Sequence, residues 1–318
     1  MVSIIFWKVD NFEILIMTVK SGTAAKKKTK VAIIGTGNIG TDLLIKIQRS
    51  KVLECGMFTG KNPDSSGIKR AKSMGIPTSF ASIRAIERDP DCCEIVFDAT
   101  SAQSHLVHAP ILKKIGRFTI DMTPSRIGKM CIPVINLEEC LETDNVNMIS
   151  CGGQDTTPII FAIVKVHPEV EYVEIVSSIA SKSAGIATRD NIDEYTQTTR
   201  DGIIQFAKVP KAKAIIILNP VEPPIVMHNT IYALVKHPKI KKLKEEINRV
   251  VAKIREYVPG FKLTGGPIFE NNRLTVMNEV TGLGDFLPVW AGNLDIINCA
   301  AIHVAEEYAK RKLGIKNV

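Results

Sequence analysis

The sequence predicts an α/β protein: a Rossmann-type, doubly wound parallel sheet joined to a second domain of α+β type. Three observations carry that expectation. A buried-type strand, Val31 to Ile34, runs into Gly35, Gly37 and Gly40 and then into a helix that sets Ile39, Leu43, Leu44 and Ile47 on one face. Short apolar runs then alternate with helical patterns as far as Ser150, the arrangement that builds a parallel sheet covered by helices. Beyond that point, long strand-like runs and two long amphipathic patterns indicate a sheet of different layout.

Taken in order, residues 1–28 read as a basic tail. Its apolar runs SIIF and FEILIM are interrupted by Lys8, Asp10 and Glu13, so neither approaches the ~20 apolar residues of a membrane span, and the charge order is not that of a secretory signal. Met17 offers an alternative start. Residues 29–150 form the expected nucleotide-binding domain. In its glycine triplet the first glycine permits the tight turn, the second admits a pyrophosphate close to the backbone, and the third lets helix pack on strand. The next strand, in VLECGMFTG, ends where a carboxylate for the ribose is usual, but Lys61 and Asn62 stand there, with Asp64 two residues on. Asn62 can bond a ribose hydroxyl, while Lys61, Lys69 and Arg70 can attend a 2′-phosphate; NAD is the expected cofactor and NADP stays open. PTSFAS, CEIVFDAT, RFTIDMT and VNMIS continue the strands, with SHLVHAPILKKIG as a helix among them. His105 and His108 fall one helical turn apart, but with no carboxylate partner in their motif they read as packed or surface residues, and no metal site is expected.

Composition narrows the class. With 45% hydrophobic and 23% charged residues the chain suits a soluble globular enzyme rather than a disordered one. The net charge of +8 gathers in the tail and in KHPKIKKLK, without interleaved aromatics, so the basic stretches read as solvated faces and not as a nucleic-acid surface. Seven cysteines, an odd number with no CxxC or Cys/His spacing, exclude a disulfide framework or zinc site and fit a reducing cytoplasm.

One cysteine is set apart. In NMISCGGQDTTP, Cys151 leaves a strand-like run and meets Gly152 and Gly153, after which Thr156 or Thr157 can cap a helix with Pro158 at its first position. A sulfur near a helix N-terminus should ionise more readily, and the free amides there can receive an oxyanion. Cys93 and Cys299 lie in apolar stretches and read as small core residues; a buried structural Cys151 is the competing reading. A nucleotide cradle with a thiolate at the end of the same sheet suggests aldehyde oxidation through an enzyme thioester.

KVAIIGTGNIGTDL, NMISCGGQDTTP, SIASKSAGIATRDNIDEYTQTT, KAIIILNPVEPPIVMHNTIY and PVWAGNLDIIN together resemble the acetylating acetaldehyde dehydrogenases, over roughly residues 29–312. The resemblance implies conversion of acetaldehyde, NAD and coenzyme A to acetyl-CoA and NADH, with Cys151 as the acyl-thioester nucleophile. It implies dinucleotide contacts from Thr36, Gly37, Asn38 and Ile39, from the loop Ser181, Lys182, Ser183, Ala184, Gly185, Ile186, Ala187, Thr188 and Arg189, and from Asn293. It also implies partnership with a 4-hydroxy-2-oxovalerate aldolase in the breakdown of aromatic compounds. Asn229 stands where many members carry an activating aspartate, so it is assigned to orienting a group or water rather than taking a proton; His228, its neighbour, should point to the opposite face of the strand.

The second half, residues 151–290, reads as the catalytic and dimerisation domain of a homodimer. YVEIVSSIAS, AKAIIILNP and PIVMHNTIYALV are its expected strands, and residues 189–207 and 239–258 its amphipathic helices; the cofactor contact that the resemblance implies for Asn293 implies in turn that a last helix at 291–313 returns to the nucleotide domain. Two other functions compete: a phosphorylating semialdehyde dehydrogenase-like enzyme, and a catalytically impaired partner of an aldolase, the latter motivated by Asn229.

Overall fold

The computed structural model describes residues 28–185, 189 and 192–315, together with the backbone of 3–9 and 12–18. Within the stretch read as a tail, Ser3–Val9 (β1) and Phe12–Thr18 (β2) pair antiparallel with each other. The first domain follows as Thr29–Ile34 (β3), Asn38–Arg49 (α1), Leu53–Thr59 (β4), Ser66–Ser73 (α2), Thr78–Ser79 (β5) and Ile83–Arg88 (α3). It continues with Ile95–Asp98 (β6), Ala102–Lys114 (α4), Phe118–Asp121 (β7), Lys129–Met130 (β8), Pro133–Cys140 (α5) and Asn145–Asn147 (β9). The strands form one parallel sheet in the order β5-β4-β3-β6-β7-β9-β8. Strand order reverses between β3 and β6, and in such sheets the crevice outside the carboxyl ends at that point receives the ligand. The last four residues of β3, Val31 to Ile34, are wholly buried, which is why they form a continuous apolar run instead of alternating.

The second domain comprises Cys151–Val166 (α6), Tyr172–Ala180 (β10), Ile192–Ala207 (α7), Lys211–Asn219 (β11), Met227–Leu234 (β12) and Ile240–Tyr257 (α8). Phe261–Glu270 (β13) and Arg273–Val280 (β14) complete it, and Gly292–Lys312 (α9) follows as the last helix. Its sheet has the order β11-β10-β12-β14-β13, antiparallel apart from the β10/β11 pair. One face is covered by helices: α8 turns Leu243, Ile247, Val250, Val251 and Ile254 into the core at helical spacing. The hairpin β13–β14 occupies a segment to which the sequence reading assigned no strands. Its turn is Asn271-Asn272, both with positive φ (49° and 59°), the conformation of a tight hairpin that asparagine tolerates better than most residues.

Helix α9 ties the two domains. Ile297, Ala300, Ala301, Val304 and Ala305 pack into the core of the parallel sheet, while Ile296 and Cys299 belong to that of the second domain. A buried ion cluster pins its start: Lys46 Nζ on α1 lies 2.7 Å from Asp295, 2.9 Å from Asp42 and 3.0 Å from Asp285. Burial lowers the Lys46 pKa, but the charges of Asp295 and Asp42 beside it outweigh that and hold the ammonium charged.

Candidate active site

The glycine triplet makes a cradle. Gly35 has φ +114°, and a Cβ there would lie 2.3 Å from the Ala99 carbonyl oxygen; one on Gly40 would lie 1.9 Å from the Gly35 oxygen. Around Gly37 the space is open. Gly37 is also the N-cap of α1, and no side chain caps that helix, so its first amides are left facing the crevice for an anion. Thr36, beside it, holds Ser65 through a 2.9 Å hydroxyl contact. At the far end of β4, Asn62 accepts from the Asp64 amide (2.9 Å), and Lys61 borders a separate recess with Arg84 and His108.

Alongside the cradle lies a cavity of about 440 Å³ whose wall is drawn from both domains. Ile39 comes from the start of α1, Thr100 from the loop after β6, Cys151 from the start of α6, Glu194 and Tyr195 from α7, and Asn293 from the start of α9. Of the seven cysteines, Cys151 alone is not buried.

A strained turn aims it. Ile149, a β-branched residue, has φ +64°, a conformation costing ~1–3 kcal/mol that persists only where its surroundings enforce it. Asn147 does so: its Oδ1 accepts the Ile149 amide (2.9 Å), and its Nδ2 donates to Asp121 (2.7 Å) and to the Thr123 carbonyl (2.9 Å). Ser150 then caps α6, its Oγ accepting from the Gly153 amide at 2.9 Å. The sequence reading that began this helix at Pro158, capped by Thr156 or Thr157, is corrected accordingly. The helix starts at Cys151, Thr156 donates its hydroxyl to the Gly152 carbonyl (2.7 Å), and Pro158 lies within the helix. The Ser150 cap outcompetes the preference of proline for a first position.

Tyr195 stands at the sulfur. Its Oη accepts the Gly152 amide at 3.0 Å and lies 3.3 Å from Cys151 Sγ. With one lone pair occupied by the amide, its hydrogen is free to be donated to the sulfur, which favours thiolate. Its helix is fastened to the nucleophile: Ser150 Oγ contacts Thr199 Oγ1 at 2.6 Å, and Thr199 donates to the Tyr195 carbonyl at 2.7 Å. The lowered thiol pKa expected from the helix terminus is nevertheless not what the site shows. Burial dominates and pushes Cys151 up to about 11, against the Tyr195 hydrogen bond and the Gly152 amide.

Asn229 is buried on β12, and its Nδ2 donates to the carboxylate of Asp155 on α6, to which Asn278 Nδ2 donates from β14. His228 points to the other face as expected, exposed and 3.8 Å from Glu279. Asn293 is buried at the start of α9 and lines the cavity, its Oδ1 without a hydrogen-bond partner. Ser181, Lys182, Ser183, Ala184 and Gly185 follow β10 and are closed on themselves by Arg189, which donates to the carbonyls of Ser181 (2.7 Å) and Ala184 (3.0 Å). Ile186, Ala187 and Thr188 lie outside the described residues.

Tyr195 and Asp155 escaped the sequence reading. Had α6 been started at Cys151, the spacing of four to Asp155 would have put that carboxylate on the same helix face. The histidines need a correction too: both are buried, and each Nδ1 lies 2.8 Å from Asp98 Oδ2, so a carboxylate partner exists and comes from β6. Among the described residues no group of three or more side chains is arranged to hold a metal, and no helix is long and apolar enough to cross a membrane.

Comparison with known proteins agrees with this architecture. The family model described as "Prokaryotic acetaldehyde dehydrogenase, dimerisation" matches residues 151–288. The acetaldehyde dehydrogenase of Spirochaeta aurantia is 50% identical over 286 residues, covering 90% of this chain and 96% of the relative. That of Pectobacterium atrosepticum is 50% identical over 294 residues, covering 92% and 99%. Among solved structures, aspartate semialdehyde dehydrogenase II of Vibrio cholerae shares the fold, with a TM-score of 0.59 at 12% identity over 90% of this chain and 99% of that one. The chain belongs to the acetaldehyde dehydrogenase family.

Proposed function

We propose that this enzyme oxidises acetaldehyde, or a short homologue, to the coenzyme A thioester through a thioester on Cys151, with NAD as the hydride acceptor. The observation that carries the reading is the meeting, around one cavity, of Cys151, Tyr195 and Ile39 on the helix that opens from the glycine cradle.

The dinucleotide would be held by Thr36, Gly37, Asn38 and Ile39 at the cradle, by the loop from Ser181 to Arg189, and by Asn293, which lines the cavity and whose amide oxygen has no hydrogen-bond partner. When bound there it supplies the acceptor for a hydride. The chain does the rest. Cys151 gives up its proton and its sulfur adds to the aldehyde carbon; the oxygen that gains charge is received by the Tyr195 hydroxyl, whose hydrogen is released once the sulfur is bonded to carbon. Loss of hydride from that carbon, as the charged oxygen closes to a carbonyl, leaves the acyl group on Cys151. The acyl group then passes to the thiol of coenzyme A, and Cys151 recovers its proton. Ile149, Ile179, Ile216 and Ile297 give the cavity an apolar lining that suits a small aldehyde and keeps water from the thioester.

The protein acts as a homodimer assembled through its second domain, in the cytoplasm, and takes its aldehyde from a 4-hydroxy-2-oxovalerate aldolase. The test is NADH formation from acetaldehyde, NAD and coenzyme A, which should vanish in Cys151→Ala. Turnover with phosphate in place of coenzyme A, or activity retained without the thiol, would reject the mechanism.

A further inference from the structure

Asp155 has no part in the steps above, yet the second domain is built around it. It lies on α6 one helical turn beyond Cys151, wholly buried, with Asn229 donating to one carboxylate oxygen and Asn278 to the other. The two asparagines stand opposite each other on β12 and β14, and Ser177 stands opposite Asn229 on β10. A polar row thus crosses the sheet beneath the helix in an otherwise apolar core. Ser177 Oγ, Asn229 Oδ1 and Asn278 Oδ1 find no partner there. Position 229, where the resemblance leads one to expect an aspartate, holds an amide, and the carboxylate meets that amide from the helix side.

We propose that Asp155 is a positioning residue that governs the ionisation of Cys151: the two acids, one helical turn apart, the carboxylate wholly buried and the thiol half-buried, carry a single negative charge between them. The inference rests on the reading of Cys151 as the nucleophile. When Cys151 ionises, its S–H bond breaks, an O–H bond forms on Asp155, and the charge moves from carboxylate to sulfur; nothing is oxidised or reduced. Two like charges so close in a low-dielectric interior exclude each other. The direction of each titration agrees: burial pushes the Asp155 carboxyl up to about 7 against the pull of Asn278 and Asn229, and the Asp155 charge adds to the burial that raises the Cys151 thiol.

Among the described groups facing the pair, the one further carboxylate is Glu194, exposed at the cavity wall. From α7 come Tyr195, whose own ionisation burial pushes up, and Glu194 at the cavity wall. The sheet presents Ser177, Asn229 and Asn278, all neutral, while His228 and Glu279 lie on its other face. Helix α8 turns Leu243, Ile247 and Val250 inward; α9 offers neutral Asn293, its Asp295 being bound to Lys46.

The test is the pH dependence of Cys151 alkylation by iodoacetamide, followed on the Cys151 peptide by mass spectrometry without substrate. In Asp155→Asn the midpoint should fall by about one pH unit or more, because a neighbouring negative charge has been removed. Asn229→Asp, which adds a second carboxylate, should raise it. The exchange Asp155→Asn with Asn229→Asp should bring it back towards that of the unaltered protein. A residue that merely fills space would leave the midpoint unmoved, and that result overturns the proposal. Should Asp155→Asn fail to fold, an unmoved midpoint in Asn229→Asp overturns it equally. Absence of NADH formation by the unaltered protein would instead strike the functional reading and leave this comparison standing.

Discussion

Replacing Tyr195 by phenylalanine removes one oxygen and little else. That oxygen lies 3.3 Å from Cys151 Sγ and 3.0 Å from the Gly152 nitrogen, so the change deletes the donor to the sulfur and leaves the Gly152 amide without its acceptor. A hydrogen bond to a charged group contributes about 1.5–3 kcal/mol. At about 1.4 kcal/mol per factor of ten, kcat/KM for acetaldehyde should fall roughly 10- to 150-fold. The Tyr195 hydrogen bond pulls the Cys151 pKa down, so the alkylation midpoint of Cys151 should also rise, by roughly one to two pH units. Steady-state NADH formation and iodoacetamide labelling read the two effects independently. If kcat/KM stays within about twofold and the midpoint does not move, the hydroxyl is no partner of the thiolate.

Three further outcomes follow from the same geometry. In Gly152→Ala the new Cβ would lie 2.5 Å from Tyr195 Oη, so the ring must swing away; activity should drop, and in combination with Tyr195→Phe the two losses should fall well short of additive in a double-mutant cycle. Lys46→Met leaves three carboxylates facing one another at the junction of α1 and α9 and should cost about 3–5 kcal/mol in urea unfolding; a loss under about 1 kcal/mol would show that the cluster does not join the domains. Burial raises the Asp98 carboxyl, but the bonds from His105 and His108 outweigh it and hold it at about 2, so its contribution is complete above its ordinary value of 3.8 and is lost as pH falls through about 2. His105 is lowered by burial but raised further by Asp98 and Asp121, so its contribution is complete below its ordinary 6.5 and is lost as pH rises through its elevated value. The difference in Tm between the unaltered protein and Asp98→Asn should therefore be widest between about pH 4 and 6.5, and a pH-independent difference would show that these bonds carry no charge.

The parallel sheet is legible in the sequence because its strands are buried on both faces and its first turn needs glycine: Val31 to Ile34 and the Gly35, Gly37, Gly40 triplet leave few alternatives. What escapes is what depends on contacts between distant segments. Tyr195 reaches Cys151 only because Thr199, one turn further along α7, is bonded to Ser150. Asp98 and its two histidines are seven and ten residues apart in the chain, on a strand and the helix that follows it, so no local spacing announces the cluster. The start of α6 is misread because proline and threonine are strong local signals at Thr156 to Pro158, whereas the Ser150 cap gains its weight from a strained turn held by Asn147. The thiol pKa errs for a related reason: helix position is written in the sequence, and burial is not.

The claim on which the rest depends is a covalent one, and the Cys151 peptide reports on it directly. After incubation with acetaldehyde and NAD, without coenzyme A, mass spectrometry should find an acetyl group on Cys151 that disappears when coenzyme A is added. NADH formed with Cys151 unmodified, or an acyl group residing on another side chain, would contradict the account.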